Sequence, residues 1–197
     1  MNGFHQDTKP LAIQIGLGII LPAFFLSIEF LTNNNVILAA DFILVVLYVI
    51  YSFKTVLKMD ILRISRCTLS FGIASAGLIL LIQLTLSSIT GIKGGSNQLL
   101  YLNPLISAPI ACLTGPLWEE LIFRYTLNVK YFQNKCFGIL VSSILFALLH
   151  GSTRLVDIFV YFFIGVILSF TNWQSHNLLS SVLAHSLTNT FVFIGSL

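Results

Sequence analysis

The sequence predicts an all-α protein, a polytopic transmembrane helical bundle of about seven spans, within a range of six to eight. Three observations predict it. Of 197 residues, 56% are hydrophobic and only 9% charged, where a soluble domain carries roughly 25% charged residues. The mean hydropathy of +0.94 is concentrated in long apolar runs, several near the ~20 residues that cross a bilayer at 1.5 Å rise each. The polar and charged residues gather in short separators between those runs.

The runs cover residues 10–31, 36–53, 67–90, 105–129, 136–150, 155–171 and 178–197. The separators read as loops: Asn33-Asn34-Asn35, the basic stretch 54–66, and residues 91–103, 130–135, 151–154 and 172–177. The first run, which follows Lys9, exceeds the ~7–15 apolar residues of a signal-peptide core, and no A-x-A site follows it, so it is read as a retained span. The fifth run is the shortest, and the uncertainty in the count lies there.

Loop charge sets the expected orientation. With the N-terminus inside, Lys9, Lys54, Lys58, Arg63, Arg66, Lys130 and Lys135 share the inner side, and only Lys93 and Arg154 lie outside. The net charge of +3 is too small and scattered for a nucleic-acid partner; the lipid bilayer is the expected environment. Cys67, Cys112 and Cys136 form no CxxC pair and leave one thiol over in any disulfide arrangement, so they read as small apolar residues.

The fourth run carries Pro104, Pro109 and Gly115-Pro116. Proline removes a backbone donor and clashes with the preceding turn, so a break is expected before Pro116. A new helix would start there and run to about Val129.

The densest chemistry follows that break, in Trp118-Glu119-Glu120-Leu121-Ile122-Phe123-Arg124. An ionisable group inside a span costs at least ~2.5–3.5 kcal/mol on insertion scales, so these three need one another or a water-filled cavity. Glu120 and Arg124 stand at i,i+4 with the acid first, the favourable order. Glu119 lies about 100° round the helix from Glu120. One carboxylate is thus neutralised while the other stays free to accept a proton from water. The plainer reading is an acid pair at a membrane edge that caps a helix and binds Arg124.

Two of the four histidines fall within or at the end of apolar runs: His150, after Phe146-Ala147-Leu148-Leu149, and His185, in His185-Ser186-Leu187-Thr188-Asn189. His185 and Asn189, at i,i+4, present their polar heads to one place. Singly, such residues serve as interhelical hydrogen-bonding glue. Depth brings them together. With a hairpin turn near Gln133, Glu119 and His150 come out roughly 21 Å and 26 Å from that turn, and His185 roughly 16 Å past the Trp173–Gln174 turn. All three can line one cavity, which the topology puts in the outer half.

The ordered set Glu119-Glu120…Arg124, Phe146…His150 and His185…Asn189 resembles the EExxxR, FxxxH and HxxxN pattern of the CPBP family, the CAAX-protease or bacteriocin-processing (Abi) intramembrane endopeptidases. Its polar positions match in order across residues 119–189. The resemblance implies a division into N-terminal transmembrane helices without recognised motifs (1–103) and a catalytic helical core (104–197). It implies glutamate-dependent hydrolysis of a peptide or membrane-anchored protein substrate: a CAAX-type tail, a bacteriocin or a signalling peptide. Glu119 would be the general base, His150 would help hold the water, His185 and Asn189 would donate to the oxyanion, and Glu120 with Arg124 would support the base. A multi-pass protein of a bacterial plasma membrane is implied. The pattern leaves Zn²⁺ open as a cofactor: Glu, His and His can ligate it, but no HExxH is present.

Other classes fit less well. Gly16-Leu17-Gly18 lacks an aspartyl protease's aspartate, and Ala74-Ser75-Ala76-Gly77 reads as helix packing rather than a serine nucleophile. Glu29 and Asp41 are expected at the outer interface, in water, rather than on an ion path. His5 and His176 read as solvated, and Asp157 as a partner of Arg154. The non-enzymatic alternative is a membrane scaffold or bacteriocin self-immunity protein on the same fold.

Overall fold

The computed structural model describes residues 10–32, 34–58, 62–90, 103–132, 135–150 and 154–195. They form helices α1 (Leu11–Leu31), α2 (Asn35–Leu57), α3 (Arg66–Thr90), α4 (Pro104–Tyr131), α5 (Lys135–Leu149), α6 (Leu155–Ser175) and α7 (Leu178–Ile194), with no strand among the described residues. Each falls on one of the predicted apolar runs. Five of them, α1 to α4 and α6, are long and apolar enough to cross a membrane, while α5 and α7 have 15 and 17 residues. The chain is a multi-pass membrane protein. Large apolar side chains such as Phe30, Val36, Leu81, Phe159 and Phe191 stand exposed on the outside of the bundle, where lipid takes the place of water.

The asparagines of the separators are helix caps. The side-chain oxygens of Asn34, Asn103 and Asn177 accept N–H groups of the first turns of α2, α4 and α7, which satisfies donors that have no partner inside the helix. Asn177 also donates to Thr68 Oγ1 at 2.8 Å and to the Arg63 carbonyl. The start of α3 is thereby tied to the α6–α7 turn, where His176 takes the left-handed conformation, φ 51°. The expected turn at Gln133, the Lys93 loop, Lys9 and His5 lie outside the described residues.

Helix α4 is the centre of the bundle and packs against α1, α2, α5, α6 and α7. It does not break at Pro116 as expected. It runs unbroken from Pro104 to Tyr131, with π-helical turns at Ile110–Thr114 and Leu121–Tyr131 on either side of the Gly115–Glu120 segment. Widening to i→i+5 bonding absorbs what a proline imposes, since the ring gains room and the missing N–H no longer interrupts the ladder. Gly115 is what lets the wide turn close: a Cβ there would lie 2.8 Å from the Ile110 carbonyl oxygen.

Polar side chains fasten the helices inside the apolar layer. Thr126 donates to Gln14 at 2.6 Å, Trp118 Nε1 donates to Ser52 at 3.0 Å, and Tyr48 donates to the Leu17 carbonyl. Ser75 shares a 2.6 Å hydrogen bond with Thr171 of α6, which makes it the packing residue that its small neighbours indicated.

Helices α5 and α6 are in tight contact at Gly165, where a Cβ would stand 3.0 Å from both Cα and Cβ of Ser143. Gly165→Leu is expected to push α6 off α5 at a cost of about 1–3 kcal/mol, the usual range for overpacking. Gly77→Ala, where the added carbon meets nothing within 4 Å, is expected to leave thermal unfolding in detergent unchanged or slightly raised. Equal melting temperatures for the two variants would contradict this packing.

Candidate active site

Helices α4, α5 and α7 each bring polar groups to one level of the bundle, as the depth arithmetic predicts. Glu119 Oε2 lies 3.9 Å from Nε2 of His150 and 3.9 Å from Nε2 of His185. All three residues line a cavity of about 320 Å³, and Asn189 lines it as well. Glu119 Oε2 is sealed off and has no hydrogen-bond partner. The cavity runs from this floor, past Gly18 and Leu26 of α1 and Gln83 and Ser87 of α3, to Val192 of α7. That is the half of the bundle away from Lys54, Arg66, Lys130 and Lys135.

Glu120 and Arg124 sit behind the cavity, both with side chains 0% exposed, and pair at 3.2 Å between Glu120 Oε2 and Arg124 Nε. Two neighbouring glutamates thus have opposite surroundings, as their 100° separation on one helix requires. Arg124 Nη2 donates to the Gly165 carbonyl at 3.4 Å, and the guanidinium lies 4.4 Å from the ring centre of Phe146. A buried charge needs this many partners, because leaving a membrane-embedded guanidinium bare costs several kcal/mol.

Each histidine is oriented through its other nitrogen. His150 Nδ1 donates to the Phe146 carbonyl at 2.8 Å, one turn back on the helix. A carbonyl only accepts, so Nδ1 carries the proton and Nε2 offers its lone pair to the cavity. His185 Nδ1 lies 3.0 Å from Glu120 Oε1, so one carboxylate holds both Arg124 and His185. Phe146 packs against both imidazoles, tilted on His150 with ring centres 4.4 Å apart and edge-on to His185 at 5.7 Å.

Asn189 Nδ2 donates to the Ala111 carbonyl at 2.8 Å, fastening α7 to the wide turn of α4. The amide keeps a second N–H. Tyr161, which the sequence did not single out, stacks on His150 at 4.1 Å and 25°. It stands one turn from Asp157, which accepts from Arg154 Nε at 2.8 Å as expected and also lines the cavity.

One further expectation needs revision. Glu29 and Asp41 are not solvated: their relative exposures are 8% and 1%. The start of α4 covers Glu29, whose carboxylate accepts the Asn103 N–H. Neither acid lines the cavity. Helices α1 and α3 also supply part of the cavity wall.

Zn²⁺ fits this donor set poorly. Adjacent donors of a tetrahedral zinc site are about 3.3 Å apart, given bonds near 2.0 Å, whereas Glu119 stands 3.9 Å from each imidazole. Among the described residues no three His, Cys, Asp or Glu side chains are placed to hold an ion.

Residues 101–191 match the family model of the Type II CAAX prenyl endopeptidase Rce1-like proteins. All three motifs fall inside the match, which bears out the resemblance read from them and supports a CAAX-type intramembrane endopeptidase. No curated protein and no solved structure matches the chain.

Proposed function

We propose that this chain is a glutamate-dependent intramembrane endopeptidase of a bacterial plasma membrane, with residues 104–197 as its catalytic core. Its substrates are membrane-anchored peptides: a CAAX-type tail, a bacteriocin or a signalling peptide. The observation that carries the reading is one free carboxylate, Glu119, facing two imidazole Nε2 atoms at 3.9 Å across a cavity.

A separation of 3.9 Å is too long for direct hydrogen bonding; rotation of the Glu119 side chain, 26% exposed, opens the closed Oε2 to a bridging water, whose two bonds of ~2.8 Å meet at about 90°. Glu119 accepts one proton from that water and His150 Nε2 accepts a hydrogen bond from the other O–H. The water oxygen then attacks the scissile carbonyl carbon. His185, protonated with Nδ1–H held by Glu120, and the second N–H of Asn189 donate to the oxygen that becomes negative. Collapse of the tetrahedral intermediate breaks the C–N bond, and the proton on Glu119 passes to the leaving amine. Donors that are fixed before the reaction starts are the condition for electrostatic stabilisation in a site of low dielectric.

The reading is tested with a fluorogenic prenylated CAAX-type peptide in detergent. His185→Ala is expected to lower kcat about 10²–10³-fold, the usual effect of removing one oxyanion donor, and His150→Ala to lower it as well. Chelator is expected to leave the wild-type rate unchanged. Equal turnover by wild type and both variants would overturn the mechanism.

A further inference from the structure

We propose that Gln83 of α3 anchors the main chain of the substrate about four residues from the scissile bond. The assignment rests on the endopeptidase reading above and deepens it, because α3 lies outside the matched residues 101–191.

Gln83 lies deep in an apolar run of α3 and lines the same cavity as Glu119, with Ser87 one turn further on. Its carbonyl oxygen, Oε1, is buried and accepts from no group of the protein. Three other polar groups of the wall already have a partner in the protein: Asp157 accepts from Arg154, Thr188 donates to the Ala184 carbonyl and Asn189 donates one N–H to Ala111. A buried acceptor left unpaired costs about 1–3 kcal/mol, so Gln83 calls for a donor that arrives with the ligand.

A peptide in extended conformation supplies that donor at every residue, whatever its side chains. In entering an apolar cavity its N–H groups lose water, and each one left unpaired opposes binding. The amide of Gln83 has the complementary pair, Oε1 for an N–H and Nε2 for a C=O. It can therefore hold one peptide unit without selecting a side chain.

The position along the substrate follows from the helix register. α3 and α7 run in the same direction and touch at Gly72, where a Cβ would lie 2.8 Å from the Leu183 side chain. Gln83 is eleven residues beyond Gly72 and His185 two beyond Leu183, and the nine-residue difference is about 13 Å along the bundle. An extended chain covers that distance in about four residues at roughly 3.4 Å each.

The test uses prenylated CAAX-type fluorogenic peptides in which each backbone nitrogen is methylated in turn, with wild type, Gln83→Leu, Gln83→Met and Glu119→Ala. Gln83→Leu and Gln83→Met are expected to lower kcat/KM about tenfold through KM, with kcat nearly unchanged. Wild type is expected to lose a similar factor when the nitrogen about four residues from the scissile bond is methylated. The residue-83 variants are expected to be indifferent to that methyl group, since the bond it removes is already gone. Glu119-dependent cleavage that is unaffected by residue 83, or variants that keep full sensitivity to methylation at every position, would overturn the anchor alone. Cleavage that is absent, or equal in wild type and Glu119→Ala, would end the endopeptidase reading and the anchor together.

Discussion

Glu119→Gln is expected to lower kcat for peptide cleavage by about 10³–10⁴-fold, near the upper end of what a positioned general base supplies. The exchange preserves volume and one carbonyl oxygen, so the substituted bundle keeps its packing, but a neutral amide does not accept the proton of the attacking water. KM is expected to stay within about twofold, because activating water matters in the transition state and not in substrate binding. The neighbouring Glu120 does not substitute, since it is 0% exposed and faces Arg124 and His185 behind the cavity. The check is steady-state cleavage in detergent, with thermal unfolding measured on the same preparation. A variant with unchanged kcat would show that the cavity carboxylate takes no part in the chemistry.

Arg124→Ala is expected to damage the fold more than any change at the cavity. The guanidinium is wholly buried, paired with Glu120 at 3.2 Å, bonded to the Gly165 carbonyl and placed over Phe146. Removing it leaves the Glu120 charge with only His185 and the Ser181 hydroxyl to answer a full negative charge, and breaking a buried pair in this way costs about 3–5 kcal/mol. The lost guanidinium also opens a void between α4, α5 and α6. Neutralising both partners separates charge from packing: Glu120→Gln with Arg124→Met is expected to recover most of the lost stability, because neither group is then an unpaired ion. Cleavage is not expected to return, since His185 Nδ1 no longer has a carboxylate to hold it. Unfolding followed through Trp118, itself 0% exposed, reads the stability, and the fluorogenic peptide reads the activity. A double variant as unstable as the single one would show that the void, and not the charge, causes the loss.

Much of this was legible before any coordinates, and the legible part is local. Apolar runs of bilayer length and Asn-rich separators mark the helices, since the lipid forbids lipid-exposed irregular backbone at that depth. The opposite roles of Glu119 and Glu120 follow from 100° per residue on one helix. His150 and Phe146, and His185 and Asn189, are likewise pairs within single helices. Even the meeting of three helices at one level came from residue counts at a constant rise per residue, and the 3.9 Å separations bear it out.

What the sequence determined by itself is the placement of the apolar helices, about seven in number, the faces that carry ionisable groups, and the pairing of Glu120 with Arg124, all consequences of helical periodicity in a solvent that does not hydrate charge. Only the tertiary structure decided how the helices are rotated and offset against one another. Those angles are set by contacts between distant residues, such as Gly165 on Ser143 and Gly72 on Leu183, which no periodicity encodes. From them follow the unbroken course of α4, whose wide turns absorb its prolines, the burial of Glu29 and Asp41, the stacking of Tyr161 on His150, and the arrival of Gln83 at the same cavity as Glu119.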